Sequence, residues 1–181
     1  MMPKSFDKYG LLPPGDYELT LEELHRSLLV KGPVHKSPGW DSAWRRYLVD
    51  NLKLLVNQLW DVGIENIFIN GSFVEDKDHP NDIDGYFECA LLDLASGRLQ
   101  RDLNLLDPHK IWTWNSNSRR FDPDSGKKQL PMWHVYRIEL YPHYNQESGI
   151  TDKFGYQLMF PSAFRQSRRE YRQKGIIKIK K

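Results

Sequence analysis

The segment that decides the fold reads Ile67-Phe-Ile-Asn-Gly-Ser-Phe-Val-Glu-Asp-Lys-Asp-His-Pro-Asn-Asp-Ile-Asp-Gly85. A β-rich run over residues 64–69 leads into Gly71-Ser72, and a polar loop separates it from a second predicted strand over residues 82–88. The Asp, Asn and Pro residues between the two runs are typical of a loop. The segment therefore predicts two neighbouring strands with a Gly-Ser turn at the end of the first.

The regions on either side add helices to these strands. Apolar residues recur at three- and four-residue spacing over residues 41–61, which predicts a helix with one buried face. Helical patterning returns over residues 90–106, with a break at Gly97, and residues 134–141 alternate like a strand. Because strands alternate with helices, the sequence predicts an α/β (α+β) fold with a mixed β-sheet flanked by helices.

The composition indicates a single domain of ordinary size. The chain has 181 residues, of which 39% are hydrophobic and 28% charged, so it can bury a core. We divide it into an N-terminal extension with a short helix (residues 1–39), the core (40–141) and a C-terminal strand, basic helix and tail (142–181). Since the chain has one cysteine, no signal-peptide pattern and no apolar run near ~20 residues, we expect a cytoplasmic protein with no internal disulfide and no membrane partner.

Asp82 and Asp84 are candidate metal ligands. Residues i and i+2 of a strand project from the same face, so the two carboxylates would point together while Ile83 turns into the core. Two like charges held close are costly unless a cation lies between them, and such hard oxygen ligands suit Mg²⁺ (or Mn²⁺). Gly71 permits close approach of the backbone to a ligand, and Ser72 can donate to a phosphate oxygen.

Two other interpretations of these aspartates compete with a metal site. One is a turn over residues 81–85, which are rich in Asn, Asp and Gly. Ile83 and the apolar residues that follow Gly85 favour a strand instead. The other is a calcium loop of the EF-hand kind, which would place Pro80 first and Leu91 twelfth. Neither residue has the side-chain oxygen that those positions need, so this interpretation is excluded.

The net charge of +2 hides an uneven distribution. Residues 164–181 hold eight Lys and Arg side chains and one Glu, and the sequence predicts a basic helix over residues 162–173. More cations fall in residues 115–130, which we predict to form a long exposed loop. Such cations favour contacts with phosphate or nucleic acid, although an isolated basic cluster is more often a solvated surface. The candidate contacts are Arg119, Arg120, Lys127, Arg165, Arg168, Arg169 and Arg172.

A Gly-Ser turn at a strand end, followed by Asp-x-Asp on the next strand, resembles the DNA polymerase β-like nucleotidyltransferase superfamily, in particular its minimal nucleotidyltransferases. The likeness covers residues 41–141. In that superfamily a later strand carries a third metal ligand or general base, and Glu139 occupies this place, where Asp is more common. The loop after Gly71-Ser72 is acidic here and lacks a glycine that members often have. The beginning and end of the chain also resemble a group of uncharacterised bacterial and phage-borne proteins with this core.

The resemblance implies a metal-dependent nucleotidyltransferase that moves an NMP from an NTP, such as ATP, to a hydroxyl acceptor. Asp82, Asp84 and Glu139 would be the catalytic and metal-binding residues, and Gly71 and Ser72 would bind the nucleotide. The acceptor would be an RNA 3′ end, such as that of tRNA, or a protein side chain. Since several relatives belong to toxin–antitoxin and phage-defence systems, a toxin or antitoxin partner is also implied. The alternative is a non-catalytic protein of the same fold, antitoxin-like or binding nucleic acid through its basic C-terminus.

Overall fold

The computed structural model describes residues 2–181. Its strands are β1 (Asp16–Thr20), β2 (Ile67–Asn70), β3 (Ile83–Glu88), β4 (Arg120–Asp122), β5 (Lys127–Gln129), β6 (Ile138–His143), β7 (Glu147–Thr151), β8 (Gln157–Met159) and β9 (Ile176–Lys180). Its α-helices are α1 (Leu21–Arg26), α2 (Leu28–Lys31), α3 (Ser42–Asp61), α4 (Leu91–Ala95), α5 (Arg98–Leu106), α6 (Pro131–Tyr136) and α7 (Phe160–Ala163), and short 3₁₀ turns cover Gly71–Val74 and Ser116–Ser118. Among these helices, none combines the length and apolarity needed to cross a membrane.

Five strands form the main sheet, in the order β1-β9-β2-β3-β6. The outer pairs, β1–β9 and β3–β6, are parallel, whereas β9–β2 and β2–β3 are antiparallel. The strands β4–β5 and β7–β8 form two separate hairpins. Helices pack against this mixed sheet, which confirms the predicted fold class.

Helix α3 confirms the helix predicted over residues 41–61. Asp41 caps its start, because the Asp41 carboxylate accepts a hydrogen bond from the Trp44 amide at 2.8 Å. Gly63, at φ +86°, follows its end in a conformation that favours glycine. The buried apolar side chains of α3, each worth about 1.5–3 kcal/mol when fully buried, are Leu48, Val49, Leu52, Leu55, Val56 and Leu59. The predicted break at Gly97 is also confirmed, since it separates α4 from α5.

The two faces of β3 meet different surroundings. Ile83 and Phe87 pack into the main core together with α3, as predicted for Ile83. Tyr86 belongs to a second apolar cluster, which includes Phe160 of α7. Because side chains alternate along a strand, Asp84 lies on the face of Tyr86. The C-terminal segment, which covers that face, therefore borders the acidic residues of β3.

The predicted basic helix over residues 162–173 is wrong. Helix α7 ends at Ala163, and the chain then turns back on itself: the Ser167 amide donates to the Arg172 carbonyl at 2.7 Å, and the Lys174 amide to the Arg165 carbonyl at 2.9 Å. No apolar residues recur at helical spacing between residues 165 and 170. A helix there would have no face to bury, so bonds across a turn satisfy the backbone instead.

The strand predicted over residues 134–141 begins later than expected. Pro131 starts α6, because its fixed φ suits the first turn of a helix. Met132 and Tyr136 bury one side of this helix, which ends at Arg137 in a left-handed conformation (φ +58°). Only then does β6 begin. The predicted strand is therefore correct where it overlaps β6 and wrong over residues 134–136, which belong to α6.

The sequence analysis did not predict the β4–β5 hairpin or strand β1. Residues 115–130 are not a continuous loop, because they contain the β4–β5 hairpin, in which Gly126 turns the chain at φ +66°. Strand β1 was not predicted, and its partner is the C-terminal strand, with Asp16 opposite Ile176. Pairing over such a sequence separation leaves no local pattern in a short segment.

Candidate functional site

One end of the main sheet brings the predicted site residues near one another. Asp84 of β3 lies opposite Asn70 of β2 on one side and opposite Glu139 of β6 on the other. The turn Gly71–Val74 begins directly after Asn70, and Asp82 immediately precedes β3. The site therefore combines the end of β2 with the beginnings of β3 and β6.

Asp84 lies directly against Gly71. A Cβ atom added to Gly71 would lie 3.0 Å from the Asp84 Cβ and would overlap its Oδ2 atom, and Gly71 has a φ of +71°. Within residues 2–181 the Asp84 carboxylate accepts no hydrogen bond, although it is only partly exposed. Gly71 is thus required both by its backbone conformation and by the space that Asp84 occupies.

Burial and neighbouring carboxylates raise the pKa of both Asp82 and Asp84. Burial, together with the charges of Asp82 and Glu139, raises the pKa of Asp84 to about 8. The positive charges of Arg168 and Lys174 oppose this rise. Burial also raises the pKa of Asp82, while a hydrogen bond from Trp133 lowers it. A bound cation would stabilise the charged form of carboxylates whose pKa is raised in this way.

Asp82 has one oriented oxygen and one oxygen without a protein donor. The indole N–H of Trp133 donates to Asp82 Oδ2 at 2.8 Å. Trp133 is itself buried in α6 and lies under the guanidinium of Arg137, 3.9 Å from the ring centroid. The tryptophan therefore fixes the direction of the Asp82 carboxylate while its Oδ1 atom stays available.

Glu139 differs from the two aspartates because both of its oxygens have protein partners. Its Oε1 atom accepts a hydrogen bond from the Leu130 amide at 3.0 Å and lies 3.5 Å from Nη1 of Arg119. Its Oε2 atom accepts a hydrogen bond from the Tyr141 hydroxyl. The residue is 6% exposed. Burial and the adjacent Glu139 charge raise the pKa of Tyr141, so the phenol stays a donor.

The donor set fits a hard divalent cation with two protein ligands. Within residues 2–181, no group of three or more His, Cys, Asp or Glu side chains is arranged to hold a metal ion. Mg²⁺ usually takes one or two protein carboxylates and completes its shell with water and phosphate. Asp82 and Asp84 offer such carboxylates, whereas Glu139 is engaged by Arg119 and Tyr141.

In the Gly-Ser turn, the donor available to a ligand is the Ser72 hydroxyl. The Gly71 amide is already bonded to Asn70 Oδ1 at 2.8 Å, and Asn70 is buried and donates to the Gly175 carbonyl at 2.8 Å. Ser72 is partly exposed, and its hydroxyl has no hydrogen-bond partner among the residues described. The turn is thus held by Asn70 and leaves Ser72 free to bind.

Arg45 of α3 holds the same loop from the other side, and the sequence analysis missed it. Its guanidinium is fully buried beneath Trp40, 4.0 Å from the ring centroid. It donates to four backbone carbonyls, of which the last three belong to the loop after Ser72: Leu29 at 2.7 Å, Phe73 at 2.7 Å, Glu75 at 3.0 Å and Lys77 at 2.5 Å. Arg45 lies three residues before Leu48, so it falls on the predicted buried face of α3. An arginine on that face is the sequence signal that could have identified it.

Lys174 is a second buried cation at this loop. Its ammonium donates to the Gly71 carbonyl at 3.1 Å and to Glu75 Oε1 at 2.6 Å, and the residue is 5% exposed. It lies just before β9, which places the C-terminal segment under the Gly-Ser turn. No local sequence signal indicates this contact, because 103 residues separate Lys174 from Gly71.

The predicted phosphate contacts separate into two groups. Three of them form ion pairs, with Glu139, Asp16 and Glu170 respectively: Arg119, Arg165 and Arg172. The other four form no ion pair within residues 2–181: Arg120, Lys127, Arg168 and Arg169. The charge of Lys127 acts on Asp82 and that of Arg168 on Asp84. These two cations therefore border the acidic site.

The fold and the site define an α/β protein with a mixed sheet and two adjacent aspartates at one sheet end. The chain belongs to a family of unknown function, DUF6932, whose family model matches residues 4–180. No curated protein and no solved structure matches the chain.

Proposed function

We propose that the protein is a metal-dependent nucleotidyltransferase, which moves an NMP from an NTP to a hydroxyl acceptor. The acceptor hydroxyl gives up its proton to water, its oxygen forms a bond to the α-phosphorus, the bond from that phosphorus to the oxygen that bridges to the β-phosphorus breaks, and pyrophosphate leaves. One observation carries the proposal: no group within residues 2–181 donates a hydrogen bond to the Asp84 carboxylate, which lies beside Asp82 and against the Gly71 backbone. The carboxylate is half-buried, and a structural role would supply it with hydrogen-bond donors, whereas a metal ligand needs free oxygens.

Asp82 and Asp84 would hold one or two Mg²⁺ or Mn²⁺ ions, with water and the nucleotide's phosphates filling the remaining positions. A metal bound there stabilises negative charge on the attacking and leaving oxygens. Trp133 keeps the Asp82 carboxylate in a fixed direction through its hydrogen bond. Glu139 would have to leave Arg119 and Tyr141 to become a third ligand or a base, so we assign the metal to the two aspartates.

The turn and the neighbouring cations would bind the phosphates. The Ser72 hydroxyl would donate to a phosphate oxygen, and the missing side chain of Gly71 leaves room for the Asp84 carboxylate beside the turn. Arg168 is exposed and carries an unpaired charge that acts on the same site. Its guanidinium would offset the negative charge of the triphosphate and of the departing pyrophosphate.

A second candidate function is that of a non-catalytic binding protein with this fold. The observation that favours it is the engagement of Glu139, whose oxygens are both bonded to protein groups. Such a protein would bind nucleic acid or a toxin or antitoxin partner through its free cations. Charge reversal at Arg168 and Arg169 would then release the partner, while replacement of Asp82 would change little.

The test is calorimetric titration with Mg²⁺ and ATP, CTP, GTP and UTP in turn. We expect metal-dependent binding of at least one nucleotide by the wild type, and loss of that binding in the double variant Asp82→Asn/Asp84→Asn. The control is Asp61→Asn, which removes an exposed acid at the end of α3. The nucleotide that binds is then used in labelled form to assay transfer to tRNA and to protein. A folded wild type that binds no nucleotide would contradict the proposal.

A further inference from the structure

The β4–β5 hairpin exposes an aromatic side chain among cations. Phe121 lies opposite Lys128 in the antiparallel register, so their side chains share one face of the hairpin. Phe121 is 62% exposed, which is unusual for a large apolar side chain without a partner. Lys127 and Lys128 are neighbours on β5 and project to opposite faces, and both are exposed. A chain that lies on the Phe121 face would therefore meet the Lys128 ammonium, whereas Lys127 lies on the opposite face.

The hairpin is fixed to the candidate site at its base. Arg119, just before β4, and Leu130, just after β5, both contact Oε1 of Glu139. Arg119 also donates to the Lys128 carbonyl at 3.2 Å, which ties the two strands together. Three residues beyond Leu130, Trp133 donates to Asp82. The hairpin is thus an arm with a rigid attachment beside the two aspartates.

The charges of the hairpin favour a polyanion. Arg120, Lys127 and Lys128 form no ion pair within residues 2–181. Asp122, the acid within β4, is buried, and its carboxylate accepts the Ser125 amide at 2.7 Å. Unpaired cations around an exposed aromatic ring are the combination that binds single-stranded nucleic acid, because phosphates meet the charges while a base stacks on the ring.

We propose that the β4–β5 hairpin binds a single-stranded nucleic acid, with a base stacked on Phe121 and a phosphate at Lys128, and directs its end towards Asp82 and Asp84. This inference rests on the proposed function, since it names the acceptor as a single-stranded nucleic acid. It assigns a role to Phe121, to which the sequence analysis gave none.

The test is fluorescence anisotropy of a labelled single-stranded RNA of about ten nucleotides, titrated with the full-length protein at several salt concentrations. We expect Phe121→Ala to weaken binding roughly 5- to 100-fold, the effect of losing one base stack. We expect Lys128→Gln to lower the slope of log affinity against log salt by about one, because one phosphate contact is lost. The matched control is Phe154→Ala, which removes a 72% exposed ring from the β7–β8 hairpin and should leave affinity unchanged.

The inference is overturned if the RNA does not bind, or if Phe121→Ala and Phe154→Ala lose affinity equally. Tighter binding of a duplex of the same length would also contradict it, since a stacked base pair offers no free face. Mg²⁺ binding measured on the same preparations separates this inference from the proposed function. If the metal binds and the RNA does not, only the hairpin's role fails. If Phe121→Ala weakens RNA binding while no metal binds, the nucleotidyltransferase proposal fails and the hairpin's role stands.

Discussion

Asp84 and Glu139 lie opposite each other on the parallel strands β3 and β6, yet their carboxylates have opposite surroundings. Glu139 receives hydrogen bonds on both oxygens and has Arg119 as a counter-charge. Asp84 receives none from the part of the chain that the structure describes, and its pKa is raised. The acid on β6 therefore holds structure together, and the acid on β3 is left to bind. We therefore expect substitutions of Asp84 and of Glu139 to have different effects.

The first prediction concerns the pH dependence of stability in the metal-free protein. The pKa of Asp84 is about 8 in the fold, against an ordinary value of 3.8. Between these values the folded protein holds a proton that the unfolded chain has released, so the contribution of Asp84 to stability is present at low pH and is lost as pH rises towards 8. We expect Asp84→Asn to raise the free energy of unfolding by about 1–3 kcal/mol near pH 8.

The measurement is urea unfolding in EDTA, with wild type and Asp84→Asn compared at about pH 5.5 and about pH 8.5. The gain from the substitution should be larger at the higher pH. Comparing the two proteins at each pH cancels the titration of the other carboxylates. A gain that does not change with pH would show that Asp84 is already ionised at the lower value, contrary to its raised pKa.

The second prediction concerns added metal. A ligand that binds only the folded state stabilises it by about 2.7 kcal/mol at a hundredfold excess over its Kd. In a chain of this length that raises Tm by about 5–10 °C. We expect Mg²⁺ to produce this shift in the wild type and not in Asp82→Asn/Asp84→Asn, measured by differential scanning fluorimetry. An equal shift in both proteins would place the bound metal elsewhere.

The third prediction concerns Arg45. Replacement by Met would leave the carbonyl of Leu29 in α2 and three carbonyls of the segment after Ser72 without their buried donor. We expect the free energy of unfolding to fall by about 3–5 kcal/mol, the cost of breaking a buried charged network. The control is Arg46→Met, which replaces the exposed neighbour on the same helix and should cost less than about 0.5 kcal/mol. Urea unfolding measures both, and similar losses would contradict the role of Arg45.

The fold was predictable wherever a local pattern determined the structure. The apolar spacing of α3, the break at Gly97 and the alternation around Ile83 each follow from neighbouring residues, and each is confirmed. The basic segment after α7 has no apolar period, and the helix predicted there does not form. Strand β1 depends on a partner at the other end of the chain.

The same distinction applies to the candidate site. Gly71, Ser72, Asp82 and Asp84 lie within one short segment, so the sequence alone identified them as candidates. The engagement of Glu139 could not be inferred, because its partners come from the hairpin base and not from β6 itself, apart from Tyr141. Interactions over long separations are set by the tertiary fold, and a single sequence does not display them.

The last prediction concerns the anchoring role of Glu139. In Glu139→Gln the amide keeps one acceptor oxygen but loses the negative charge that faces Arg119, and its NH₂ group cannot accept a bond from Tyr141 or Leu130. We expect the β4–β5 hairpin to open more often, so that its amide hydrogens exchange about 5- to 100-fold faster, equivalent to about 1–3 kcal/mol of lost local stability.

Hydrogen exchange with mass spectrometry of peptides covering residues 119–130 measures this change. The control is Glu147→Gln, which neutralises an exposed acid on β7 that forms no ion pair within the described residues. Exchange in the main sheet should stay slow in both variants. Glu139 contacts the hairpin through its side chain, whereas β6 is held in the sheet by backbone hydrogen bonds to β3, which the substitution does not change. If the hairpin exchanges at the wild-type rate in Glu139→Gln, the carboxylate does not anchor it. Glu139 would then be free to join Asp82 and Asp84 as a third ligand.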